Sequence, residues 1–295
     1  MSSSSSNASL VEKPCSACSW TPFRQDSCRY DSHVKLFYGV ETRGAWSLGS
    51  RYILKERDAG PPNFETANIE FLRKNTKIPL PEIVRAWEED GRYFEILSRI
   101  RGRTLRDTWP FLTQVDVERI AAQTAVHIAQ IRKLTSERME SLGGEPLFNA
   151  FLFDAPSAPH GPFDTDDALF SEMISLLDVP AEVAEKLRSR APPCEPYTFT
   201  HGDLTDCNII VDEGNLSGII DFENSGYYPV WWESVKCSIG FTQEDASWKT
   251  ALQKEIQAFP EAYQWWRAYM ILQYNFNQQD ALDILETLPE TYRRE

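Results

Sequence analysis

Four side chains stand in a spacing that fits one kind of chemistry. His201, Asp203 and Asn208 fall in a His-x-Asp-x-x-x-x-Asn pattern, and Asp221 closes the apolar stretch that follows. Phosphoryl transfer of the kinase type needs such a set: a carboxylate beside the attacking hydroxyl, and an Asn and an Asp to hold magnesium over the phosphates. Asp203 is the candidate that positions the hydroxyl and takes its proton, and Asn208 and Asp221 are the candidate metal ligands. His201 is suited to fixing the loop through backbone hydrogen bonds. Asp206 could be a third catalytic carboxylate, but reads better as a solvated loop residue.

The segment that positions these residues is a strand-turn-strand unit. Ile209-Ile210-Val211 and Leu216 to Ile220 are apolar and rich in β-branched residues, as strands require. Gly214-Asn215 suits a two-residue turn. That register sets Val211 opposite Gly218 and Asn208 opposite Asp221, with opposed Cβ atoms roughly 4.5–5.5 Å apart, within reach of one metal site.

The run HGDLTDCNIIVD…LSGIIDFENSGYYPVWWE resembles the aminoglycoside phosphotransferase and choline kinase-like family. ETANIEFLRKNTKIPLPEIV and ILSRIRGRTLRDTW are similar to that family's first-lobe helix and strand and to its hinge. The resemblance covers most of the chain from about residue 30. It implies an α+β, bilobal protein kinase-like fold, with a small antiparallel-sheet lobe at 29–98 and a larger, mainly helical lobe at 99–295. The stretch at 1–28, which opens polar and small with no periodicity, reads as a disordered tail. The resemblance also implies ATP and Mg²⁺ as cofactors and a small-molecule hydroxyl as acceptor. Protein kinases carry Phe-Gly after the second metal aspartate, whereas this chain has Phe222-Glu223. No Ala-Pro-Glu segment follows downstream, so a protein kinase is the weaker reading. A catalytically silent nucleotide-binding relative is the other rival, and the retained Lys55, Asp203, Asn208 and Asp221 speak against it.

In the first lobe, Val34 to Val40 and Arg51 to Glu56 read as strands, with Arg43 to Ser50 between them where a phosphate-covering loop would lie. Lys55 is the candidate for the nucleotide phosphates, oriented by a helical glutamate. After Pro61-Pro62, Asn63 can cap a helix from Phe64 to about Asn75. At about 100° per residue, Glu65 falls on its apolar arc with Phe64, Ala67, Ile69, Phe71 and Leu72, while Glu70 points away. A carboxylate on the buried side needs a cation, which selects Glu65 as the partner of Lys55. Strands from Glu82 to Trp87 and Arg92 to Ser98 complete the sheet. The connector Ser98-Arg99-Ile100 would, by the resemblance, offer the backbone of Ser98 and Ile100 to the adenine edge.

In the second lobe, Val115 to Leu134 reads as an amphipathic helix and 141–168 as a long loop anchored by Phe148, Phe151 and Phe153. Glu223 and Glu233 could select a cationic substrate or pair structurally, the structural role being preferred for Glu233. The aromatics Trp265, Trp266, Tyr269, Tyr274 and Phe276 read as core in preference to an aromatic box.

The net charge of −14 argues against nucleic-acid binding and agrees with a cationic small substrate, such as an amine-bearing alcohol. No apolar run approaches the ~20 residues needed to span a bilayer. The polar, serine-rich start is not a secretory signal, so the expected location is cytoplasmic. Six cysteines are then most simply reduced thiols. Cys15, Cys18, Cys28 and His33 could form a zinc set, although nothing in the resemblance requires one.

Overall fold

A computed structural model of the chain describes residues 33–153, 158–274 and 277–290. The segment read as a tail, Cys15, Cys18, Cys28 and Phe276 lie outside the described residues. The chain divides into two compact units, one comprising residues up to Gly60 together with Ile83–Arg99, the other Pro61–Glu82 together with Ile100 onward. The helix after Pro61-Pro62 thus groups with the larger unit.

The smaller unit is one antiparallel sheet of strands β1 (Val34–Val40), β2 (Arg43–Leu48), β3 (Tyr52–Asp58), β4 (Ile83–Glu89) and β5 (Arg92–Ser98), in the order β1-β2-β3-β5-β4. Arg43 to Leu48 is therefore a strand and not the expected loop. Its residues complete pairs with both neighbours, Gly44 with Gly39 and Glu56, Ala45 with Tyr38 and Lys55. The chain reverses instead at Glu41-Thr42, where Glu41 adopts a left-handed conformation. Lys55 faces Glu95 directly across β3 and β5. Glu95 is fully buried, and its carboxylate accepts from Arg57 at 3.3 Å.

The larger unit begins with helix α1 (Glu65–Asn75). Its N-cap is Phe64, with no side-chain cap bond, so Asn63 does not cap it. The buried stripe is Glu65, Asn68, Ile69 and Leu72, while Ala67 is exposed. Half of that stripe is polar, which is why apolar periodicity alone misplaced its edge. A capping box of Thr113 and Asp116 starts α3 (Gln114–Ile131), following β6 (Arg103–Thr104) and the short α2 (Leu105–Thr108). Then come β7 (Thr135–Ser136), α4 (Asp166–Ser175), α5 (Ala181–Ser189), β8 (Tyr197–Thr200), β9 (Ile209–Asp212), β10 (Asn215–Ile219) and β11 (Gly226–Tyr228). The chain continues through α6 (Trp232–Lys236), α7 (Gln243–Gln253), α8 (Pro260–Gln273) and α9 (Gln278–Glu286).

Two three-stranded sheets, β10-β9-β6 and β11-β8-β7, flank the loops that carry Asp203, Asn208 and Asp221. The core of this unit gathers Trp231, Trp232, Trp265 and Tyr269 with Phe153, Leu187 and Met173. Two of the buried polar tips are paired, Trp265 donating to the Leu187 carbonyl and Tyr269 to that of Leu152, both at 2.8 Å, whereas the indole N–H groups of Trp231 and Trp232 find no hydrogen-bond partner among the described residues. Tyr274, by contrast, is exposed. No helix among the described residues is long and apolar enough to cross a membrane.

Candidate active site

The β9–β10 hairpin turns one residue earlier than its Gly-Asn pair suggests. Asp212 pairs with Asn215, and the two turn residues are Glu213 and Gly214, both with positive φ (49° and 75°). That is the geometry of a type I′ turn, whose twist suits a hairpin. A bulge between Leu216 and Gly218 then shifts the register, so Ile219 faces Ile209. Ile220 donates its N–H to the Asn208 carbonyl at 3.0 Å. Asp221 therefore stands one position beyond Asn208, in a left-handed conformation (φ 68°, ψ 61°), which Asp tolerates better than most residues.

Between β8 and β9 runs the loop His201–Asn208, and its backbone groups are engaged almost one by one. Glu233, on the first turn of α6 and 1% exposed, accepts the N–H of His201 at 2.7 Å and of Gly202 at 3.1 Å. The N–H of Asp203 donates to His201 Nδ1 at 3.1 Å. His201 Nε2 lies 3.0 Å from the Ile220 carbonyl. These contacts assign the proton to Nε2 and make the imidazole a brace between the loop and β10. Asp245 of α7 accepts the N–H of Asp206 at 3.0 Å, and Trp248 donates to the Leu204 carbonyl at 3.0 Å. Gly202 has φ +80°, and a Cβ there would come within 3.3 Å of the Asn224 carbonyl oxygen, so only glycine is comfortable.

Asp203 and Asn208 meet directly. The Asn208 amide donates to the Asp203 carbonyl at 2.8 Å and to its Oδ2 at 3.0 Å. Burial raises the Asp203 carboxyl above the ordinary aspartate range, and Asp221 adds to this; Lys236, His201 and Lys249 oppose it. Replacing Asn208 with Ala should lower the unfolding free energy by about 1–3 kcal/mol, since Asp203 loses both contacts. Denaturant titration measures this, and an unchanged midpoint would sink the account.

Asp206 is not a solvated residue. It is fully buried and pairs with Arg106 at 2.8 Å. It anchors the loop, since the Arg106 N–H also donates to the Asp206 carbonyl. Glu65, Asp221 and Glu223 bring carboxylate oxygens within 4.8 Å of one another, an all-oxygen set. Hard oxygen donors of this kind suit Mg²⁺. α1 is tied to the same region by Asn68, whose amide donates to the carbonyls of Phe222 at 2.9 Å and Ser225 at 3.2 Å.

Ser98 ends β5 opposite Tyr52, and the Arg99 N–H donates to the Arg51 carbonyl at 2.7 Å. Ile100 packs against Gly218, where a Cβ would meet its Cδ1 at 2.4 Å.

Sequence reasoning passed over Lys236, Asp245, Trp248, Asn68 and Arg106. The one available signal was Glu233 and Lys236 standing three apart in the run Trp231 to Cys237, whose other residues are apolar except Ser234, where charge is costly without a purpose.

Residues 39–269 match the model of the phosphotransferase enzyme family, and the chain belongs to that family. Two curated relatives are similar over a short stretch. An aminoglycoside 3'-phosphotransferase of Enterococcus faecalis is 40% identical over 58 residues, and one of Staphylococcus aureus 38% over 58. Each match covers 20% of this chain and 22% of the relative, so the chain spans about a fifth of their length. Among solved structures, ADP-bound aminoglycoside phosphotransferase APH(2'')-Ib aligns with a TM-score of 0.56 at 13% identity, over 89% of this chain and 95% of that one. The streptomycin–ATP complex of APH(2'')-IIa aligns at 0.55 and 14% identity, over 87% and 91%. An apo thermostable mutant of APH(4)-Ia aligns at 0.55 and 16%, over 87% and 94%. The fold is thus the α+β, kinase-like fold of these enzymes.

Proposed function

We propose that this protein is an ATP- and Mg²⁺-dependent kinase of small-molecule hydroxyl groups. The observation that carries the reading is the Asp203 carboxylate gripped by Asn208 in a loop braced by His201, Glu233, Asp245 and Trp248. Asp203 orients the acceptor hydroxyl and takes its proton. Asn208 and Asp221 hold Mg²⁺, with Glu223 supporting Asp221. Lys55, oriented by Glu65, fixes the nucleotide phosphates, and the backbone of Ser98 and Ile100 meets the adenine edge. Bound Mg²⁺ supplies charge neutralisation on the phosphate oxygens. These residues do the positioning, which accounts for most of the rate in this chemistry.

For the acceptor we favour an amine-bearing alcohol. The net charge of −14 supports this, and so does the complex of one structural neighbour with streptomycin. The test is ADP release from ATP, with and without Mg²⁺, across aminoglycosides, amino alcohols and sugars. Acceptor-stimulated, Mg²⁺-dependent turnover is expected with at least one class. MgATP binding without stimulation by any acceptor would favour the silent binding protein, and transfer to protein hydroxyls alone would favour a protein kinase.

A further inference from the structure

Two lysines are buried near Asp203, and they are used differently. Lys249 is 2% exposed and fully engaged: its ammonium pairs with Asp245 at 3.0 Å and donates to the Ile239 carbonyl at 2.6 Å. Lys236, at the end of α6, is 5% exposed, yet its ammonium makes no hydrogen bond or ion pair with any described residue. It sits 3.6 Å from the centre of the Phe151 ring and 5.9 Å from that of Phe241. The ring of Phe151 takes one face of the ammonium and leaves its donors to point elsewhere. Lys236 stands about one turn along α6 from Glu233, whose carboxylate holds the N–H groups of His201 and Gly202 next to Asp203, and the lysine's charge favours the ionised Asp203 carboxyl. Burial lowers the Lys236 pKa to about 8, with Asp203 working against that fall, so most of the lysine remains charged at neutral pH.

A cation this far buried keeps little hydration, so an anion that reaches its donors is bound more strongly than it would be in open solvent. The loop His201–Asn208 contains no lysine or arginine, although phosphoryl transfer gathers negative charge beside Asp203. We propose that Lys236 is a further catalytic residue, whose ammonium binds a non-bridging oxygen of the phosphoryl group as it passes to the acceptor. This rests on the kinase reading above. In the step, the acceptor hydroxyl gives its proton to Asp203 and its oxygen bonds to the γ-phosphorus. The bond from that phosphorus to the β–γ bridging oxygen breaks, and its electron pair leaves with ADP. Lys236 keeps its proton throughout and donates hydrogen bonds to the moving group.

The test needs no knowledge of the acceptor. Calorimetry would measure MgADP binding with and without aluminium fluoride, which with ADP mimics the phosphoryl in transfer. Wild type should bind MgADP at least about tenfold more tightly with the fluoride, the scale of one charge-stabilising contact. Lys236→Met should keep MgADP affinity within about twofold and lose that tightening, while Lys236→Arg retains part of it. Thermal unfolding checks that each variant is folded, and Lys236→Gln replaces the methionine variant if that one is not. Equal tightening in wild type and variant overturns the proposal, as does its absence in wild type. A folded variant that loses MgADP itself also overturns it, because Lys236 would then serve the nucleotide. Wild type that fails to bind MgADP at all sinks the kinase reading instead, and is recognised by that failure alone.

Discussion

Asp203→Asn should lower acceptor-dependent turnover by about 10²–10⁴-fold, the range removed with a positioned general base. MgATP affinity should stay within about twofold, because the substitution changes a proton acceptor and not the shape of the loop. The new amide can turn its oxygen toward Asn208, which holds Asp203 Oδ2 at 3.0 Å, so the brace survives. Folding should not suffer either. The Asp203 carboxyl titrates above an ordinary aspartate because burial disfavours its charge. Its ionised form therefore opposes folding at neutral pH, and a neutral asparagine relieves that cost. The expected pattern is a variant that melts at or above the wild-type temperature and binds nucleotide but scarcely turns over. Normal turnover would remove Asp203 from the mechanism, and a large fall in melting temperature would show that its role is structural.

The second large effect is expected at Glu233, which touches no reacting atom. Its carboxylate accepts the N–H groups of His201 and Gly202 and is buried. Glu233→Ala leaves two buried donors unpaired, at about 1–3 kcal/mol each. With ~2–4 °C per kcal/mol for a chain of this order of size, melting should fall by roughly 5–20 °C. Glu233→Asp separates positioning from folding. It keeps the charge but retracts the acceptor by one methylene, drawing the loop and Asp203 out of place. Turnover should then drop about 10–100-fold with a much smaller loss of stability, since errors of an ångström are costly in positioned catalysis. MgATP affinity read on the same sample serves as the control. An aspartate variant with full turnover would mean that the loop holds its shape without Glu233.

Much of this was legible in the residues themselves. The strands around Lys55 and from Arg92 to Ser98, the helix after Pro61-Pro62 and the hairpin after Asn208 all carry local signals of period, turn and β-branching. The grouping of Asp203 and Asn208 was legible too, because only four residues lie between them and a loop of that length readily brings them together. The errors came where two local solutions differ little in energy. A turn at Glu213-Gly214 and one at Gly214-Asn215 both offer a glycine, and the choice fell to the strands. The bulge at Leu216 let the apolar faces of β9 and β10 stay in the core, at the expense of setting Asp221 directly opposite Asn208.

What the sequence determined by itself was the class of chemistry and its central loop, because residue type and short spacing set those. Tertiary structure alone decided how the loop is held. Glu233, Asp245 and Trp248 lie 32, 39 and 44 residues from the groups they bond, and no local pattern encodes a partner at such separations. It likewise decided which charges are consumed. Asp206 and Lys249 are neutralised by Arg106 and Asp245, while Lys236 is buried against Phe151 with its charge acting on Asp203. Burial and pairing are properties of the packed molecule. They determine whether a given lysine or aspartate acts as scaffold or as reagent.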